Sequence, residues 1–563
     1  MFKIKAKSEK FWKEVRSNPQ YRFLIDELFD IYQECAQGEI KDISYDAFME
    51  YHRTGKRNLL ENNYYFPRRR RLNVCALLSL IYPDNEEYFN NLLNTIWAIC
   101  NEYCWALPNH ISNSQFEYND NFIDLMAAET GYALSEIRFL LGDRMGPLIN
   151  ERIHKEIDKR IIQSFLNNTY SWENSDHNWA AVCGGSVGCT FMYECPELFY
   201  NVKPRIDSAI GKYLSGFKAD GVCREGLGYW QYGFEFFVAY AQQLYESTEG
   251  SVNLFENDHV KMIAQFPNNM FLDNGVTVSF ADSLPTEKIG LGTMMILKSH
   301  YGQLFKEFSN ENYFTHDMWG RWCLHISSIV WFEPKKTDIV INSSSYDYMR
   351  YMKESQWFVK KNDTYSFAAK GGDNGEPHNH NDIGSFILCH KGRQILVDLG
   401  AGEYTKDYFG ENRYEILCVR SGGHSVPIID GYEQATGVEY KAKTNFDERK
   451  LIIDLTKAYP QNHVTKIIRE FSFTEKRLLL RDLYMFSENC EVIERFVSYI
   501  KPQVSEKYIR LADVCLLADF DAWKVNVSED IHVNHFGIEE KVYLIDFTFR
   551  KPESEFWIDF VME

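Results

Sequence analysis

The stretch Gly375-Glu-Pro-His378-Asn-His380-Asn-Asp382-Ile-Gly384-Ser385-Phe386-Ile-Leu-Cys-His390-Lys391-Gly392-Arg-Gln-Ile-Leu-Val-Asp398-Leu-Gly400 decides how this chain is read. From Phe386 to Gly400 it has the form strand, Lys-Gly turn, strand, because a two-residue turn with glycine matches the twist of a β-hairpin. The polar run before the hairpin carries two imidazoles at i and i+2 and then an aspartate. Packing rarely produces that pattern, whereas metal or proton chemistry needs it. In an extended segment side chains two apart share a face, so His378 and His380 are expected to serve one cavity.

Outward from this hairpin the period of the apolar residues changes near residue 335. Before it they recur at three and four, as in Phe122 to Gly131 and Glu235 to Tyr245, with glycines closing segments. After it short alternating runs are separated by turns: Tyr365 to Ala369, Lys450 to Thr456, Lys466 to Phe473, Arg477 to Tyr484, Val542 to Phe549 and Phe556 to Val561. The expected fold is multidomain α + β. An N-terminal helical region over 1–337, with pairs that suit an incomplete (α/α) toroid, precedes a C-terminal antiparallel β-sandwich over 338–563. A small terminal β layer is allowed from about residue 500, and Asp338 to Tyr348, rich in Asn and Ser, is the expected crossing.

Composition limits the partners. The 563 residues are 45% hydrophobic and 15% aromatic, too long for one core and too apolar for disorder. A formal charge of -19 excludes wholesale nucleic-acid binding and a polybasic membrane surface. No stretch reaches the roughly 18 apolar residues needed to span a bilayer. The amino terminus lacks the apolar core of a signal peptide, and the 13 cysteines are scattered without a paired framework, so reduced thiols in a cytoplasm are expected. Homo-oligomerisation is left open.

Two segments of the helical half are unusually polar. In Ser175-Asp-His177-Asn178-Trp179, followed by Gly184, Gly185 and Gly188, small residues let a helix start pack closely against a neighbour or a substrate. Asn178 as N-cap and Trp179 as core anchor is the structural alternative. In Glu225-Gly-Leu-Gly228-Tyr229-Trp-Gln-Tyr232 a glycine loop feeds a helix with two aromatic hydroxyls, for which function and packing are both open. The run Arg68 to Arg71 reads as a solvated helix face or an anion grip. Trp105 and His110 offer a sugar-stacking wall.

These segments, taken with His378-Asn-His380-Asn-Asp382-Ile-Gly384, Asp398-Leu-Gly400, Tyr404-Thr405, Arg413-Tyr414 and His424-Ser-Val-Pro427, follow the order seen in heparinase II/III-like polysaccharide lyases. The chain resembles that family from about 175 to 435. The resemblance implies a helical toroid joined to β-sandwich layers, and an acidic oligo- or polysaccharide substrate. It implies one zinc ion held by His380, Asp398 and His424, a set of two imidazoles and a carboxylate that suits zinc. A straight strand would hold His380 roughly 16 Å from Asp398 along its axis, so the loop must bend back over the sheet.

The implied reaction is β-elimination at a 4-linked uronic acid. It requires neutralising the C6 carboxylate, removing the C5 proton and protonating the oxygen leaving C4. Asn178 would hydrogen-bond the carboxylate. Tyr229 would be the acid and open to a second role as base, with His378 as partner base or polarising group. His177, Trp179, Glu225, Tyr232 and Arg413 would line the substrate site, Arg413 or a histidine stabilising a phenolate. A metal-dependent hydrolase using His380, Asp398 and His424, and a non-catalytic glycan-binding protein of the same fold, are the alternatives.

Overall fold

The structure is a computed structural model that describes residues 2–112, 121–302, 320–334 and 347–563. The expected crossing from Asp338 lies outside the described residues up to 346. Helices occupy the first part and antiparallel strands the second, as the change of period requires. In space the chain forms two compact units. The first comprises 1–216, 230–261 and 288–341; the second comprises 217–229, 262–287 and 342–563. A single boundary near 337 therefore describes the order of elements, while two excursions from the helical half belong to the sandwich unit. Among the described residues no helix is long and apolar enough to cross a membrane.

In the first unit, Asp124 caps the helix Leu125–Ile157 by accepting from the Ala127 amide at 2.8 Å. The helix Asn178–Glu194 uses its small residues for packing: a Cβ on Gly188 would lie 2.6 Å from the Tyr240 ring. Arg68, Arg69 and Arg71 are buried rather than solvated. Arg69 grips Glu102 with two bonds of 2.6 and 2.8 Å and Arg68 adds a third at 3.0 Å, so the run is an internal brace and not an anion grip. Trp105 is 1% exposed and cannot serve as a stacking wall.

The second unit is a sandwich. One sheet has the order β1-β2-β3-β5-β6, from β1 (Tyr348–Met352), β2 (Trp357–Lys361), β3 (Tyr365–Lys370), a short β4 (Asp373–Asn374) that lies outside it, β5 (Phe386–His390) and β6 (Arg393–Leu396). The Lys391-Gly392 turn is real, both residues having positive φ, but a bulge after Leu388 moves the β5–β6 register by one. The facing sheet has ten strands. From one edge it runs β9 (Lys443–Asp447), β10 (Lys450–Asp454), β11 (Val464–Phe473) and β12 (Arg477–Ser498), with the short β7 (Pro427–Ile429) pairing onto β12 and β8 (Gly437–Lys441) paired elsewhere with β4. Beyond residue 500, β13 (Gln503–Val504), β14 (Ile509–Leu511), β15 (Val514–Ala518), β16 (Lys524–Val533) and β17 (Glu539–Met562) extend this same sheet instead of forming a separate layer. The reason is β17: at 24 residues it pairs with β12, β15 and β16.

The runs Val542 to Phe549 and Phe556 to Val561, separate in the sequence, are one strand that passes through Pro552. The proline falls where the β12–β17 register shifts between Met485 and Cys490, a place with no ladder hydrogen bond to lose. Between the sheets Phe386 meets Phe367, Phe471, Phe496 and Phe560 at ring separations of 5.0–6.2 Å.

One charge is buried in this apolar layer. Arg469 of β11 is fully enclosed, pairs with Asp482 at 2.7 Å and with Glu494, and donates to the carbonyls of Gly384 (2.9 Å) and Ser425 (2.8 Å). Those carbonyls lie just beyond His380 and His424, so the facing sheet clamps both loops that carry the expected metal ligands. Replacing Arg469 by Met would leave two carboxylates buried without their cation. We expect the sandwich to lose roughly 3–5 kcal/mol in denaturant unfolding; a loss under about 1 kcal/mol would exclude this clamp.

Candidate active site and metal-binding cluster

The site in the second unit is built around a segment the sequence reading passed over. Within the helical half, Val276, Val278 and Phe280 alternate with polar residues and lead to Asp282. Phe280 packs edge-on against Trp357 at 5.2 Å, and the Ser279 hydroxyl donates to the Asp398 carbonyl at 2.9 Å. Ala281 then turns the chain with φ of 57°. Two motif glycines allow this turn to be approached. A Cβ on Gly226 would sit 2.3 Å from Ser283 Oγ, and one on Gly400 2.2 Å from the Ser283 carbonyl oxygen. Both also have positive φ, which a larger residue adopts only with strain.

The turn places the Asp282 carboxylate where no water reaches it. His378 Nδ1 donates to Oδ2 at 2.5 Å and His380 Nε2 to Oδ1 at 3.0 Å. Tyr404 adds a bond to Oδ2 at 3.1 Å, Tyr408 a short one to Oδ1, and the Arg413 guanidinium lies 3.9 Å away. Burial by itself would raise the Asp282 pKa, but the bonds from His378 and His380 prevail and hold it well below the usual carboxylate range. A carboxylate only accepts, so both imidazoles present N–H to it. This sets the tautomers: His378 keeps Nε2, and His380 keeps Nδ1, for other work.

Tyr229 completes the group. Its ring stacks on His378 with centroids 4.2 Å apart, and its hydroxyl lies 2.8 Å from that of Tyr404. Because Tyr404 gives its proton to Asp282, Tyr229 is the donor in this pair. A continuous chain of hydrogen bonds therefore runs from Tyr229 through Tyr404 and Asp282 to His378. Glu225 Oε2 is 3.5 Å from His378 Nε2 and adds to the charge that raises the imidazole pKa against the opposing effect of burial. Arg413 donates to the carbonyls of Tyr408 (2.8 Å) and Asn379 (3.0 Å) and covers the Tyr408 ring, so it braces the loop and faces Asp282.

On the other side of His380 lies a second arrangement. His380, Asp398 and His424 each turn one ligand atom to a common point, all within 4.8 Å of one another. His424 donates Nε2–H to the Cys418 carbonyl at 2.8 Å, which turns Nδ1 toward Asp398 Oδ2 at 3.3 Å, and the Asp282 bond turns His380 Nδ1 to the same point. His380 Nδ1, His424 Nδ1 and Asp398 Oδ2 are buried without any hydrogen-bond partner. Three orphaned donors of this kind fit a divalent cation, with their other atoms already held by acceptors and donors behind them. The loop does bend as the spacing demands: the Asn381 amide bonds to the Val419 carbonyl at 2.8 Å, His378 takes φ of 52°, and the chain turns at Asp382 to Ser385.

Of the residues expected from sequence, Tyr229, Glu225, His378, His380, Asp398, Arg413 and His424 all lie in the second unit. Asn178, His177, Trp179 and Tyr232 lie in the first. There His177 precedes the helix, Asn178 is its buried first residue rather than the cap, and Trp179 meets His110 at 4.7 Å. Tyr232 donates to Glu129 at 2.6 Å under the Arg321 guanidinium. Sequence reading missed Asp282, whose signal was the alternation of 276–280, and Tyr408, which carries none. It also missed His532, the single buried residue of the exposed β16. His532 Nε2 has no hydrogen-bond partner, and burial, then the nearby His380, lower its pKa to about 4.

Solved structures share this architecture. Heparan sulfate lyase HepC from Pedobacter heparinus is 14% identical, with a TM-score of 0.61 over 100% of this chain and 87% of that one. A heparinase III structure is 12% identical at a TM-score of 0.60, covering 96% and 92%. A chondroitin AC lyase from Streptomyces coelicolor A3 in complex with chondroitin sulphate is 9% identical at 0.58, covering 98% and 82%. The fold is thus the helical-plus-sandwich fold of polysaccharide lyases. Residues 347–558 match the family described as Heparinase II/III-like, C-terminal, so this part of the chain is similar to that family. None of the curated proteins matches the chain.

Asp282→Asn keeps the size of the side chain and removes the anion that orients His378 and His380. Divalent-cation affinity, measured by chelator competition, should fall about 10–100-fold. Unchanged affinity would show that His380 is oriented by other means.

Proposed function

We propose that this protein is a polysaccharide lyase that cleaves 4-linked uronate-containing glycans of the glycosaminoglycan type by β-elimination, leaving an unsaturated uronate. The observation that carries this reading is the chain Tyr229–Tyr404–Asp282–His378. β-Elimination moves one proton from C5 to the leaving oxygen, and this chain couples a neutral acid to an imidazole base. His378 Nε2, which faces Glu225 at 3.5 Å while Nδ1 is bonded to Asp282, takes the C5 proton when the imidazole is neutral. Tyr229, protonated in the resting state, gives its proton to the oxygen leaving C4, and the relay through Tyr404 and Asp282 restores it. Glu225 orients His378. Asn178 is retained as the partner of the C6 carboxylate on the resemblance alone.

For His380, Asp398 and His424 we propose zinc as the resident ion. When bound it would supply a fixed positive charge that orders the loop from His378 to Asp382. All three side chains are fully enclosed, which favours an organising ion over one that activates water for hydrolysis. Thirteen unpaired cysteines suit a reducing compartment, and we assign the cytoplasm.

Incubation with a panel of uronate polysaccharides and oligosaccharides should produce ultraviolet absorbance from the new C4–C5 double bond. New reducing ends without that absorbance would identify a hydrolase, and neither signal a binding protein. Tyr229→Phe should lower the rate about 100–10,000-fold while the protein stays folded; full activity would overturn the acid assignment. Elemental analysis of His380→Ala should find one zinc per chain fewer than in the native protein.

A further inference from the structure

A second group of possible ligands lies in the sandwich unit, made of residues the lyase reading does not use. Asp430, His463 and Cys490 each offer one donor atom, an oxygen, a nitrogen and a sulfur, within 4.8 Å of one another. They come from three separate parts of the chain. Asp430 follows β7, His463 precedes β11, and Cys490 follows the bulge of β12.

Each is held in place by its backbone. Asp430 adopts φ of 50°, its amide donates to the Glu491 carbonyl at 2.8 Å, and its Oδ1 accepts from the Glu491 amide at 2.7 Å. That pair of bonds fixes the carboxylate and turns Oδ2 toward His463 Nε2, 3.4 Å away. The Ser487 amide donates to the His463 carbonyl at 2.9 Å, tying the imidazole to the bulge. Four residues, Phe486 to Asn489, lie opposite Pro552 alone on β17, with Phe486 still paired to Val464 of β11. This excursion brings Cys490 back beneath the other two with its side chain fully buried.

The polar atoms are incompletely matched without a cation. His463 Nε2 is buried and has no hydrogen-bond partner, and the Cys490 sulfur faces the Glu488 carbonyl at 3.6 Å and the Asp430 carboxylate, which with burial pushes its thiol up. Glu488, 70% exposed and 3.7 Å from His463 Nδ1, adds negative charge at the rim. Arg550 is the nearest cation that pairs with Asp430, at 3.9 Å.

We propose that Asp430, His463 and Cys490 form a second metal site that binds a zinc-like divalent cation and staples the β7 turn to the β12 bulge. A thiolate, an imidazole and a carboxylate are a borderline-soft set that selects zinc over magnesium or calcium. Binding forms one metal–sulfur, one metal–nitrogen and one metal–oxygen bond and releases the thiol proton to solvent; no oxidant or reductant is involved. Three protein ligands leave a fourth position for water or for Glu488. The site is independent of the proposed lyase activity and of the cluster at His380.

Sulfur makes the two clusters distinguishable, because His380, Asp398 and His424 contain none. The metal-free full-length protein is titrated with cobalt(II), and the near-ultraviolet band of thiolate-to-cobalt charge transfer is recorded. The native protein should develop a saturable band. It should persist in His380→Ala, vanish in Cys490→Ser, and require at least tenfold more cobalt in His463→Ala and Asp430→Asn. Melting of the metal-free variants beside the metal-free native protein reports whether each remains folded, and His463→Gln serves if the alanine variant does not. Zinc should raise the melting temperature of His380→Ala and not that of His380→Ala combined with Cys490→Ser. No band in the native protein, or an undiminished band in Cys490→Ser, would overturn the site.

Discussion

The buried carboxylate of Asp282 is the constraint on which the rest of the site depends. A carboxylate removed from water costs several kcal/mol unless it is fully hydrogen-bonded. Here that requirement draws together four parts of the sandwich unit, bringing His378 and His380 to one anion along with Tyr404, Tyr408 and Arg413. The same anion has two outputs. By accepting from His380 Nε2 it turns Nδ1 toward Asp398 and His424, and by accepting from His378 Nδ1 it leaves Nε2 facing Glu225. The proposed metal site and the proposed proton relay therefore meet at one side chain.

A second buried charge works from the opposite sheet. Arg469 is neutralised by Asp482 and Glu494, and its remaining donors hold the backbones after His380 and His424. Loops that carry ligands are thus fastened to a strand in the middle of a ten-stranded sheet. Such fastening is what keeps orphaned imidazole and carboxylate atoms converged, since without it each would turn toward another partner or toward water.

Much of this was legible in the residues. The hairpin at Lys391-Gly392 and the helical and stranded halves have local signatures, while the grouping of His380 with Asp398 and His424 came from the family resemblance and is met by their convergence in the structure. Val542 to Phe549 and Phe556 to Val561 misled, because two apolar runs parted by polar residues read as two strands, whereas they are one. The arginines of 68–71 misled in the other direction: a run of like charges reads as solvated, and only the position of Glu102, far along the chain, makes burial affordable.

By itself the sequence determined the order of elements and the residue types the chemistry needs, because period, turn chemistry and motif spacing are properties of neighbours in the chain. It did not determine the tautomers of His378 and His380, the direction of the Tyr229 proton, or the inclusion of 217–229 and 262–287 in the sandwich unit. Those follow from contacts between residues 96 to 175 positions apart, with Asp282 at their centre. A hydrogen bond is chosen by distance and angle in space, and only the folded chain supplies them.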